Sequence, residues 1–213
     1  MRRFGSWTGI AAVAALLAIA SPVAADSIKD CFSDDNTRRI EGCSALIAVP
    51  GLDTGAKSLA HAMRALAYSL QGMFEKALPD HDQAVTLDPA SAMALNNRAW
   101  TLFKLEQPRR ALDDVERSIA LAPMSPHAHD TRAHIRQSMG DPASALADYE
   151  RAMQLGGERI VRLYQCGLQA QGMYAGSTDG AYSSDMRRAF KACVGSRTCE
   201  PLPPDEDCRF TTS

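Results

Sequence analysis

Apolar residues recur at helical spacing in paired short stretches, and the pairs themselves recur every 34 residues between positions 58 and 157. With units starting at Ser58, Ala92 and Pro126, the middle unit carries Met93, Trp100 and Phe103 on its first stretch. Leu112, Val115 and Ile119 follow on its second. A break separates the two stretches, Glu106-Gln107-Pro108 here and Gly140-Asp141-Pro142 in the next unit. The pattern predicts one helical hairpin per unit. Small residues stand at the eighth place (Ala65, Ala99, Ala133) and at the twentieth (Ala77, Ala111, Ala145), which lets the two helices of a hairpin approach closely. Pro108 and Pro142 fall in the first turn of second helices, where a missing N–H costs nothing, and Ser125 caps the helix opened by Pro126. Arg64, Arg98 and Arg132 at the seventh place and Asp80, Asp114 and Asp148 at the twenty-third are most simply paired across helices, a contact worth little if exposed. One hairpin cannot bury its own apolar face, so the units are expected to stack.

These columns resemble the tetratricopeptide repeat. The family's bulky residue at place twenty-four is met by His81, Val115 and Tyr149. Its small residue at twenty-seven is met by Ala84, Ser118 and Ala152, and its proline at thirty-two by Pro89 and Pro123. His81, polar Ser118 and Gly157 depart from the pattern. The resemblance implies an all-α, right-handed superhelical solenoid of about three repeats (58–91, 92–125 and 126–157), starting near position 55. It also implies a concave face lined by places two, five, nine, twelve and thirteen. Carried over, the first unit offers Leu59, Ala62, Leu66, Ser69 and Leu70 and the second Met93, Asn96, Trp100, Phe103 and Lys104. The third offers His127, Asp130, His134, Gln137 and Ser138. A protein or peptide segment is the ligand class such a groove implies. Trp100 and Phe103 suit the groove and a neighbouring helix equally well. The family's carboxylate-gripping variant is not expected, because only Asn97 matches it while Ala62 and Leu66 occupy its other places.

The flanks have different signatures. Met1-Arg2-Arg3, an apolar run over 10–20 and Val23-Ala24-Ala25 are the parts of a secretory signal over residues 1–25, with cleavage expected after Ala25 and no transmembrane anchor left behind. The apolar run is about half of what a spanning helix needs. Residues 26–54 read as an N-terminal cap whose helix over 36–49 carries Ile40, Cys43, Leu46 and Ile47, with Cys31 tied to Cys43. Pro79, inside the expected second helix of unit one, is a misfit there. Residues 158–213 form a C-terminal cap. Their order of Gln165, Tyr174, Gly176, Asp179-Gly180 and Tyr182 resembles a degenerate peptidoglycan-binding module of cell-wall hydrolases, which implies a possible peptidoglycan contact. Cys166, Cys193, Cys199 and Cys208 complete an even set of six cysteines, which argues for disulfides in an exported chain. A direct Cys166–Cys193 bridge is not expected, since the two face differently on their helices; the tail cysteines are the expected partners.

Composition then narrows the function. With 23 basic and 25 acidic residues, nucleic acid is not an electrostatically favoured partner. His127, Asp130 and His134 share one helical face and are read as a solvated polar surface, because no fourth ligand accompanies them. No nucleophile–base pair, phosphate loop or metal motif is present, so no cofactor and no enzymatic activity are expected. The expectation is a periplasmic or secreted binding scaffold, with a cell-wall-associated protein as the alternative.

Overall fold

Three residues join the helices of each hairpin, too few to do anything but fold the second helix back along the first. The computed structural model describes residues 22–196 and 198–201. Its helices are α1 (Pro22–Cys31), α2 (Asn36–Ile47), α3 (Thr54–Leu70), α4 (Phe74–Leu87) and α5 (Ala92–Lys104). They continue with α6 (Pro108–Leu121), α7 (Pro126–Ser138), α8 (Pro142–Ala170) and α9 (Ser184–Val194). The pairs α3/α4, α5/α6 and α7/α8 are the three expected hairpins, and each packs on the next to give an all-helical solenoid. The middle residue of each hairpin turn has positive φ: Gly72 at 72°, Glu106 at 59° and Gly140 at 81°. Glycine accepts that conformation freely, whereas Glu106 holds it at a cost of about 1 kcal/mol.

The repeat columns explain the packing. All six column alanines are fully buried, and Ser91 and Ser125 cap α5 and α7 by accepting from Ala94 N and Ala128 N. Polar Ser118 is satisfied by donating to Ala92 O at 2.7 Å. Pro79 does sit inside α4, so the carbonyl four residues before it lacks its usual amide donor. The Arg–Asp pairs form as expected but not on the surface. Arg64, Arg98 and Arg132 each grip Asp80, Asp114 and Asp148 in bidentate fashion at 2.6–2.8 Å. The three carboxylates are less than a tenth exposed. The family spacing places both partners on the facing sides of one hairpin, where the neighbouring unit covers them.

The N-terminal cap has more structure than one helix. α2 lies where expected, but α1 packs against it to complete a short pair. The Cys31–Cys43 disulfide closes that pair with Cα atoms 4.4 Å apart, and Gly42 lies so close to the backbone of Asp30 and Cys31 that no side chain fits. The signal segment lies largely outside the described residues; α1 begins at Pro22 and runs across the expected cleavage point. Among the described residues, no helix is long and apolar enough to cross a membrane.

At the other end, α8 runs through Gly157, whose φ of 63° and ψ of −156° break the helix and redirect it. This is where glycine replaces the family's proline. The second part of α8 and then α9 close the last repeat through a core of Tyr149, Tyr164, Leu168, Met186 and Phe190. Cys193 is bonded to Cys199 in the tail and Cys166 is also disulfide-bonded; Cys208 lies outside the described residues.

Candidate functional site

The first helices α3, α5 and α7 lie side by side, so their outward places form one continuous face. Half of that face is open. A cavity of about 280 Å³ brings together Leu66, Ser69, Asn96, Trp100, His127 and Asp130, all expected groove residues. Trp100 is half-buried and Phe103 contributes both to the groove and to the core of its own hairpin. Met93 is exposed beyond the cavity, and Lys104 lies 5.4 Å above the Trp100 ring. Ala62, by contrast, is buried between helices.

The other half is bordered by the chain's own tail, leaving a cavity of about 440 Å³ among Phe103, His134, Gln137, Ser138, Cys199 and Glu200. Gln137 donates through Nε2 to the carbonyls of Ser196 (3.2 Å) and Cys199 (2.9 Å). Gln171 brackets Glu200 at its backbone, donating to its carbonyl and accepting from its N–H. That is the pairing a neighbouring strand would give. The Glu200 carboxylate reaches into the groove and meets His134 Nδ1 at 2.7 Å. Its chain neighbours Cys199 and Pro201 are buried.

His134 corrects the expectation of a solvated polar face. It is 3% exposed, stacked edge-on against Trp100 and Tyr149. Its Nδ1 also meets the Tyr149 hydroxyl, which donates onward to Gln137 Oε1. Its Nε2 faces Asp130 Oδ1 at 3.5 Å, an ion-pair distance without hydrogen-bond geometry. Asp130 in turn accepts from the Tyr164 hydroxyl. Burial works against a charged imidazole here, but Asp130 and Glu200 outweigh it and raise the His134 pKa to about 9. The ring is therefore cationic at neutral pH, and Glu200 is held below the usual carboxylate range despite its desolvation, chiefly by the His134 hydrogen bond. His127 lines the open cavity instead. Among the described residues no cluster of His, Cys, Asp and Glu is arranged to hold a metal ion.

These shifts set a pH window for the tail. Because the folded pKa of His134 exceeds its ordinary value of 6.5, its contribution is complete below that value and is lost as pH rises through about 9. The Glu200 contribution has the opposite sign and is present above 4.5. The expected result is a His134 C2–H resonance titrating near 9, falling toward the ordinary range in Glu200→Gln; titration near 6.5 in the intact chain would show the tail is not docked.

The peptidoglycan-like motif has a different disposition. Gln165 is fully buried and braces the turn, donating to Asp179 Oδ1 and Ala181 O and accepting from Gly180 N. Gly180 has φ of 83°. Asp179 also accepts from Ser177 and Ala181, and these bonds, the Ala181 amide foremost, hold its pKa at about 2. Tyr182 reaches Glu150, while Tyr174 and Gly176 line a shallow cleft.

Sequence reasoning missed His81, which reaches the open cavity from the second helix α4, and Glu200 with Gln171, which come from the tail and from the residue that caps α8 at its C-terminus. An imidazole in a column of bulky apolar residues was the available signal for the first. For the tail no periodic signal existed.

The tetratricopeptide repeat family matches residues 91–122, which are α5, α6 and the turn between them. No curated protein matches the chain. Among solved structures, MamA is similar at 22% identity over 70% of this chain and 80% of that one, with a TM-score of 0.54. A MamA fragment from Desulfovibrio magneticus RS-1 is similar at 14% identity over 81% and 90%, with a TM-score of 0.56. These likenesses concern the fold: a tetratricopeptide-type helical solenoid.

Proposed function

We propose that this chain is a non-catalytic scaffold, exported to the periplasm or beyond, that binds an extended segment of a protein partner along α3, α5 and α7. The observation that carries this is the tail itself. Two glutamines hold its backbone and a buried cation holds its glutamate, which are the contacts a bound peptide needs. The open half of the same face, floored by Trp100, continues the groove. Export is supported by the basic, apolar and small-residue order of positions 1–25 and by the cross-linked cysteines. The peptidoglycan alternative has weaker support, because Gln165 and Asp179 spend their polar groups inside their own turn.

Trp100→Ala tests the groove. Capture of the crosslinked partner from the chain's own compartment is expected to weaken by about 2 kcal/mol, with the melting temperature lowered by only a few degrees. Undiminished capture would rule the groove out as the binding surface.

A further inference from the structure

The open cavity contains polar atoms that the fold leaves unanswered. His81 is fully buried, lines the cavity, and among the described residues has no hydrogen-bond partner at either ring nitrogen; Asn96 Oδ1 is buried and equally unpaired there. Such groups cost about 1–3 kcal/mol each when left unsatisfied, and natural proteins rarely keep them without a ligand to meet them. The walls specify which ligand. Among the described residues no lysine or arginine lines the cavity, and Asp130 supplies its one carboxylate. Oδ1 of Asp130 receives the Tyr164 hydroxyl and faces His134, while Oδ2 has no partner among the described residues. His134 offsets part of that charge but is itself paired with Glu200, on which Lys104, over the Trp100 ring, acts in turn; Asp130 is the charged group set in the cavity wall itself. Burial is the main reason the His81 pKa falls to about 4, with Arg98 adding to it against Asp80. A neutral imidazole presents a lone pair and no opposing charge.

We propose that this cavity is a specificity pocket for one cationic side chain, arginine or lysine, of the segment bound in the groove. The inference rests on the groove reading above. Asp130 Oδ2, Asn96 Oδ1 and the His81 lone pair receive the N–H donors, and Leu66 and Trp100 flank the apolar stem. The volume, about 280 Å³, is below that of sites for whole small molecules and suits a single side chain. An anionic group would face Asp130 with no cation in the wall to meet it.

The test uses the full chain and Nα-acetyl-arginine amide, followed by the His81 ring resonances. The arginine compound is expected to shift them, and its neutral isostere Nα-acetyl-citrulline amide to bind about tenfold more weakly. Asp130→Asn should abolish that discrimination, and Asn96→Asp, which adds a carboxylate without touching the Tyr164 contact, should tighten the arginine compound several-fold. Equal responses to the two compounds, or His81 contacting only bound water with no response to either, would overturn the proposal. The groove reading fails separately: if Trp100→Ala still captures partner while the unaltered chain responds to the arginine compound, the pocket stands and the groove does not.

Discussion

Asp114→Ala is expected to destabilise the chain by about 3 kcal/mol, measured by urea unfolding. The Asp114 side chain is 7% exposed and holds Arg98 through two bonds at 2.6 and 2.8 Å. Removing it strands a guanidinium that is only 18% exposed. Asp82, 3.0 Å from the third nitrogen of Arg98, is a partial substitute and keeps the loss at the lower end of the range for broken buried pairs. Desolvation makes the pair costly to build, so the net worth of the intact pair is much smaller than the cost of breaking it. The double change Arg98→Met with Asp114→Leu should therefore recover most of the lost stability. A loss below about 1 kcal/mol for the single variant would place the pair among ordinary surface contacts.

Tyr149→Ala should cost about 4 kcal/mol, the range for deleting a large buried aromatic. The ring is fully buried, with Tyr164 and Phe190 packed edge-on at 5.7 and 5.3 Å. Its hydroxyl belongs to the groove, meeting His134 and Gln137. One side chain thus joins the C-terminal core to the seat of the tail. The variant is expected to loosen α9 and expose the Cys193–Cys199 segment to protease together, at a denaturant concentration below the wild-type midpoint. Tyr149→Phe separates the two roles: it keeps the packing and loses only the hydroxyl, about 1 kcal/mol, and with it the donor to Gln137 Oε1. Proteolysis unchanged in Tyr149→Ala would show that α9 is held independently of this ring.

Periodicity made most of the solenoid legible. Small residues at places eight and twenty, a proline opening the second helices α6 and α8, and the serine caps of α5 and α7 are local requirements of a helical hairpin, and they lie in the chain in the order the fold uses them. That Trp100 and Phe103, at places nine and twelve, line cavities along the first helices was legible for the same reason, since their placement follows from helical geometry. What was not legible came from contacts without a repeat. Burial of the Arg–Asp pairs depends on the neighbouring element, as the contacts of Arg64 with Ser44 of α2 and of Arg98 with Asp82 of α4 illustrate. The charge and burial of His134 depend on Glu200, 66 positions later, in a stretch with no helical pattern. α1 was not anticipated because its first residues read as the end of the signal segment and the rest as a short lead-in to α2; it is held by packing on α2 and by the Cys31–Cys43 bond.

The amino-acid order alone determined that paired helices form and stack, because a 34-residue period repeats the same short-range demands of turn, cap and apolar stripe. Only the tertiary structure decided which part of the concave face is free. That depends on where a non-periodic tail lies down, and the outcome follows from hydrogen bonds and charge pairing between residues distant in the chain, which no local pattern encodes.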